Sequence, residues 1–404
     1  MKSIATLALA LAMAGNAGAQ DGGHWLASWY AAPQPAWDAG FLLPMNVPAQ
    51  LAGQSVRDTV RLSAGGRRIR LVFSNRYGTA PVTIGAASVG LAGDAAAGRA
   101  LAFSGRTGVT IAPGAMATSD PLAMPVAALA RLAVTSYYPQ PTPVASFHWG
   151  AQQTSWLAAG DATGAARFAQ DAPVAGRLFL SAVLVEANTP GRTLVTLGDS
   201  ITDGNGATPD ADRRWPDFLA ERLAAHGVAV ANAGISGARL LRDGMGRSAL
   251  ARFEQDVLAQ PGVSDVIVLL GINDIGWPGS PFAPDEPAPA FEDLTAGFRQ
   301  LVAAAHARGV RVTAGTLPPF EGALAGTPFE GHYSPAKEAM RMRLNAWIRA
   351  GGAFDAVVDF DAVLRDPQAP RRLRPGFDSG DHLHPGDAGY RAMADAVDIT
   401  TLSP

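Results

Sequence analysis

Cysteine is missing from all 404 residues, and its absence removes disulfides, thiolate metal sites and a cysteine nucleophile together. Any nucleophile must therefore be an oxygen or a nitrogen. Charge is sparse as well: 17% of residues are charged and the formal net charge is −3. No stretch gathers the positive charge needed to grip a phosphate backbone, so a nucleic-acid partner is not expected. Beyond residue 14 no apolar run approaches the roughly 20 residues that cross a bilayer, so no membrane span is expected either.

What is present fits a compact protein. Hydrophobic residues make up 48% of the chain, enough for substantial cores. At about 150 residues per domain, the length suggests two domains. The N-terminus carries Lys2, an apolar run over 4–14 and the small-residue stretch GNAGA ending at Ala19. These are the parts of a secretory signal peptide cleaved after Ala19, which implies a secreted or periplasmic protein. The expected organisation is a signal peptide at 1–19, a β-rich domain at 20–189 and an α/β domain at 190–404.

The two larger parts differ in periodicity. Between residues 25 and 186 the sequence is dense in Gly and Pro. Its short runs, as at 55–62 (SVRDTVRL) and 68–73 (RIRLVF), alternate polar with apolar residues, as a strand with one buried face does. Further strands are expected at 82–91, 109–111, 132–138 and 177–185, which suggests a β sandwich or jelly roll. After NTPG (188–191), apolar runs at 193–197, 228–232, 265–270, 310–316 and 356–360 alternate with helical patterns at 215–226, 250–260, 291–308 and 335–350. That alternation predicts a doubly wound parallel sheet covered on both faces.

In such sheets, sites form where loops leave the carboxyl ends of the strands. Three polar clusters sit there: GDS at 198–200, AGISG at 233–237 and GIND at 271–274. Ser200, in the turn GDSITDG, is a candidate nucleophile, although a lone serine beside glycine is also an ordinary turn residue. A base for it is available in DHLHP (381–385), where His384 has the suitable side chain and Asp381 could hold its tautomer. The same loop also reads as a helix cap with solvated histidines, or as a metal site using His382, His384 and Asp381. Donors for an oxyanion exist in the Ser200 N–H, the Gly237 N–H and the Asn273 amide. Asp199 and Asp203 read as turn-bonding residues, and His148 in FHWGAQQTSW (147–156) as a core residue rather than part of a sugar site. The Pro-rich stretch 275–289 reads as neither helix nor central strand and as a wall of the substrate cleft, with Trp277 and Phe282 as contact candidates.

Taken together, these blocks resemble the SGNH subgroup of GDSL-type hydrolases, in the family's order and across the whole second domain. The resemblance implies Ser200 as nucleophile, Asp381 and His384 as its triad partners, and Ser200, Gly237 and Asn273 as oxyanion donors. It implies a serine esterase with no metal or organic cofactor. Secreted relatives with a β-rich N-terminal region are similar to carbohydrate esterases, so a short-chain, acetylated saccharide is the expected substrate. A lysophospholipase or thioesterase, and a non-catalytic glycan-binding protein, are the competing expectations.

Overall fold

A computed structural model describes residues 23–38, 40–94, 98–188 and 190–402. The expected signal segment at 1–19 lies outside them. None of the described helices is long and apolar enough to cross a membrane.

The N-terminal region is built from antiparallel sheets. The larger has six strands in the spatial order Ala172–Val174, Ser155–Ala159, Gln54–Arg61, Arg131–Tyr138, Ala86–Leu91 and Arg99–Ala100. A second has four, in the order Trp25–Tyr30, Leu180–Glu186, Arg68–Ser74 and Met116–Thr118. Val56, Val60, Leu132 and Val134 of the first meet Ile69, Leu71, Phe73, Val183 and Val185 of the second in one core, giving the expected sandwich. The four-stranded sheet is buried on its other face too. Tyr30, Val72, Ala182 and Leu184 join the core of the C-terminal part. Burial on both faces explains why Leu180–Glu186 reads as a continuous run rather than an alternation.

The C-terminal part carries a five-stranded parallel sheet ordered Val228–Gly234, Arg192–Gly198, Val263–Leu269, Arg311–Gly315 and Ala356–Val358. Helices including Trp215–Leu223, Phe291–His306, Pro335–Ala350 and Asp387–Ala396 flank it. The first strand, Arg192–Gly198, lies inside the sheet between the second and third, so the strand order reverses there and a crevice opens at its carboxyl end.

Several sequence expectations need correcting. The 82–91 strand is two, because the chain breaks at Gly85: Val82–Ile84 pairs with Val109–Ile111, and Ala86–Leu91 pairs with Arg131–Tyr138. The 250–260 helix is an α segment, Ala249–Phe253, followed by a π segment, Glu254–Leu258. The start of the 275–289 stretch is helical after all, since Ile272–Gly276 forms a short helix before the prolines begin. The strand at 356 stops at Val358, where Asp359 caps the helix Phe360–Leu364 by accepting from the Ala362 N–H.

The two parts are joined by buried polar contacts as well as by the shared core. The Tyr30 hydroxyl donates to Asp256 at 2.8 Å, and Asp256 is also paired with Arg252 at 3.1 Å, both side chains being 1% exposed. The Val230 N–H donates to the Ser63 hydroxyl at 2.8 Å. Replacing Tyr30 with Phe leaves the Asp256 carboxylate short of a donor inside the protein. Tyr30→Phe should lower the free energy of unfolding by about 2 kcal/mol, read as an earlier midpoint in urea.

Candidate active site

The strand Arg192–Gly198 delivers its chain into a short helix, Ser200–Asp203. Asp199 caps that helix by accepting from the Ile201 N–H at 3.0 Å, and Gly204 ends it with φ 109°, a left-handed conformation suited to glycine. Ser200 is thereby fixed at the head of the crevice, 6% exposed.

From the far end of the sequence, His384 reaches the same point. Its Nε2 lies 2.7 Å from the Ser200 Oγ, and its Nδ1 lies 2.5 Å from Asp381 Oδ2. Asp381 Oδ1 accepts from the N–H groups of Leu383 and His384 at 2.9 and 2.8 Å. Partial burial pushes the Asp381 carboxyl up. The bond and charge of His384 and the backbone donors outweigh that and hold it well below the usual carboxylate range. His382 is set apart: φ of 61° turns it outward, where Nδ1 pairs with Asp378 at 2.5 Å. Among the described residues no His, Cys, Asp and Glu cluster could hold a metal ion.

The other sequence-predicted residues converge here. Ser200, His384, Gly237, Asn273, Trp277 and Phe282 all line one cavity of about 190 Å³. Gly237 has φ 68°, and a Cβ there would come within 2.5 Å of Met245 Sδ and 2.9 Å of Trp277, so the position is closed to side chains on both counts. Asn273 donates to the Ala238 carbonyl at 3.1 Å, and Asp274 accepts from the Leu240 and Leu241 N–H groups, which ties the two loops together. Trp277 stacks on Phe282 at 4.8 Å, and Phe282 on Phe329 at 5.2 Å, forming an aromatic wall. A second cavity of about 410 Å³ opens on the other side of His384. Asn46, Gln152, Gln153, Thr154 and Asn205 give it a polar lining. Trp149, Asn205 and His384 border both.

Four contributors were not visible as such in the sequence. Arg252 donates to the Ala233 carbonyl at 2.7 Å and the Gly198 carbonyl at 3.1 Å, pinning the strand ends that precede Gly237 and Ser200. Asn232 donates to the Thr202 carbonyl at 2.8 Å. Asp203 does not bond its own turn, as expected from sequence: its carboxylate accepts from Ser236 and faces His148. His332 sits in the cavity wall with neither ring nitrogen partnered. Residue type was the only signal for Arg252, Asn232 and Asp203, because their partners lie far away in the chain.

Residues 196–392 match the family model of the GDSL-like lipase/acylhydrolase family. The protein is accordingly a carboxylic ester hydrolase. Its structure is similar to a catalytic mutant of Axe2, an acetylxylan esterase from Geobacillus stearothermophilus, at 25% identity and TM-score 0.38, covering 52% of this chain and 93% of that one. It is also similar to a GDSL-like lipase from Bacteroides thetaiotaomicron, at 18% identity and TM-score 0.39, with 52% and 87% covered. A third likeness is LAE5, an alpha/beta hydrolase enzyme from the metagenome of Lake Arreo, at 22% identity and TM-score 0.37, with 52% and 94% covered. No curated protein matches the chain.

His332 bears on stability against acid. Burial, and then the positive charges of Lys337 and His384, lower its pKa to about 3. The unfolded chain takes up this proton near pH 6.5, whereas the native state refuses it. Stability is therefore lost as pH falls from about 6.5 toward about 3, by roughly 2 kcal/mol at pH 5. His332→Leu should show a smaller drop in urea midpoint between pH 8 and pH 5 than the wild type.

Proposed function

We propose that the protein hydrolyses short-chain esters by an acyl-enzyme route, with Ser200 as nucleophile, His384 as its base and Asp381 as the partner that orients and stabilises the imidazolium. The observation that carries this reading is the continuous Asp381–His384–Ser200 chain at 2.5 and 2.7 Å. The Nδ1 side of the ring is committed to a carboxylate, so Nε2 is left to accept the Ser200 proton. Attack on the ester carbonyl forms the C–O bond and moves negative charge onto the carbonyl oxygen. The N–H groups of Ser200 and Gly237 and the Asn273 amide receive that charge. Collapse expels the alcohol, which takes its proton from His384, and water repeats the sequence on the acyl-serine.

The two cavities beside His384 suggest how the ester lies. The apolar one takes the acyl group. A cavity of about 150 Å³ holds a benzene molecule, so acyl groups up to about six carbons fit and palmitoyl does not. The polar one takes the leaving alcohol, and its amides and hydroxyls suit a polyhydroxylated partner. Acetylated saccharides satisfy both sides, and an exported enzyme, as the 1–19 segment implies, would meet them outside the cytoplasm. A long-chain lipid hydrolase would need a longer apolar channel, and a glycan-binding protein would have no use for the assembled Asp381–His384–Ser200 chain.

Hydrolysis of p-nitrophenyl esters from acetate to palmitate, run beside acetate release from acetylated xylan, tests the reading. Rates should peak at short chains, and Ser200→Ala should lower kcat by at least about 10⁴-fold. Product release at wild-type rate by that variant would remove Ser200 as nucleophile, and a palmitate optimum would shift the assignment to lipids. Trp277→Ala should change kcat/KM by about tenfold on the longer accepted chains, because the aromatic wall is lost; unchanged kinetics on every ester would exclude Trp277 from the acyl cavity.

A further inference from the structure

A buried histidine of the N-terminal region reaches the oxyanion loop through one carboxylate. His148 is 4% exposed, at the end of the strand Ser146–His148. Its Nδ1 lies 3.0 Å from the Ala32 carbonyl and its Nε2 lies 3.0 Å from Asp203 Oδ1. The ring is thus held between two acceptors, with its Nε2 side facing the Asp203 carboxylate. The other carboxylate oxygen, Asp203 Oδ2, accepts from the Ser236 N–H at 2.9 Å and the Ser236 hydroxyl at 2.7 Å. Asp203 and Ser236 are each 1% exposed. Ser236 immediately precedes Gly237, and Asp203 closes the short helix that Ser200 opens. One carboxylate therefore joins the nucleophile's helix to the oxyanion loop, and His148 orients that carboxylate.

The same region grips the loop's other side. Gln34 and Trp37 both donate to the Met245 carbonyl at 2.7 Å, while Gln34 accepts from the Trp149 N–H at 3.0 Å. Met245 packs against Gly237 closely enough to exclude a Cβ. Gly150 is equally constrained: a Cβ there would come within 2.1 Å of Asp203 Oδ2 and 2.8 Å of the Ser236 hydroxyl oxygen.

We propose that His148 is a positioning residue for ester hydrolysis: through Asp203 and Ser236 it fixes the Gly237 N–H against Ser200, so the N-terminal region completes the oxyanion site. The inference rests on the assignment of Gly237 as an oxyanion donor. A displacement of about 1 Å in a group aimed at developing charge costs on the order of 10²-fold in rate, and the loss falls on kcat because the contact is made chiefly in the transition state.

The test compares two amides. In His148→Gln the side-chain N–H₂ replaces Nε2–H and can still donate to Asp203. In His148→Asn it replaces Nδ1–H, keeping Ala32 and losing Asp203. Kinetics on p-nitrophenyl acetate, with sites counted by the p-nitrophenol burst, give kcat per competent site whatever fraction is folded. Arg61→Ala, which removes the 3.0 Å contact with Glu221 between the same two parts of the protein and away from the loop, is the control.

The expected result is a kcat about 10²-fold lower in His148→Asn with KM within about threefold, recovery to within about threefold of wild type in His148→Gln, and unchanged kcat in the control. Equal kcat in the two amide variants, or a loss confined to thermal stability or shared by Arg61→Ala, would overturn it. Active Ser200→Ala would instead overturn the underlying mechanism; inactive Ser200→Ala with normal His148→Asn would overturn this inference alone.

Discussion

The guanidinium of Arg252 is the hinge pin of the molecule. It lies under the carboxyl end of the parallel sheet and donates to the carbonyls of Gly198 and Ala233, just before Ser200 and before the loop that carries Gly237. Buried carbonyls at strand ends need donors, since leaving them without any is costly, and the Gly198 carbonyl also accepts from the Ile235 N–H at 3.1 Å. A buried cation is tolerable only when it is neutralised, and Asp256 does this one turn along. Asp256 in turn receives the Tyr30 hydroxyl from the other part of the protein. The two loops that carry Ser200 and Gly237 are thus held to one group, and that group is anchored to the sandwich.

Much of this was legible in the sequence, and the reason is locality. GDSITDG, GIND and DHLHP each carry their chemistry within a few residues of a strand or helix end, so their placement followed once the alternation of strands and helices was recognised. Asp381 and His384 form their pair within one turn of chain. The strand Arg68–Ser74 and the parallel strands likewise announced their burial through their own side chains. His148, Asp203, Asn232 and Arg252 did not, because each acquires its meaning from a partner across a fold interface. Asp203 looked like a turn aspartate since nothing near it in the chain is the serine it binds. The breaks at Gly85 and inside 249–258 were hidden for a related reason: the hydrophobic pattern continues through them, and only the change of pairing partner or of helical pitch reveals the break.

The resulting crevice is asymmetric, which matters for an enzyme that must treat the two ends of an ester differently. Aromatic rings wall one cavity beside His384, and side-chain amides and the Thr154 hydroxyl line the other. The aromatic wall comes from the hydrolase domain, from Trp277, Phe282 and Phe329. The polar side draws Gln152, Gln153 and Thr154 from the N-terminal region. Trp149, Asn205 and His384 belong to both linings, so only changes away from these three residues can alter one side without the other.

The parallel sheet also has an edge at Val228–Gly234, and an uncovered edge invites pairing with another chain. Here the strand Trp25–Tyr30 packs against it, and the Ser63 hydroxyl takes the outward Val230 N–H. The N-terminal region thus covers an edge that the parallel sheet would otherwise expose. A hydrolase domain excised at the sequence boundary would carry a bare strand and the apolar contact surface of Val72, Ala182 and Leu184's former partners, and would tend to self-associate. Recombination that exchanges one part would have to preserve the core and edge contacts it shares with the other.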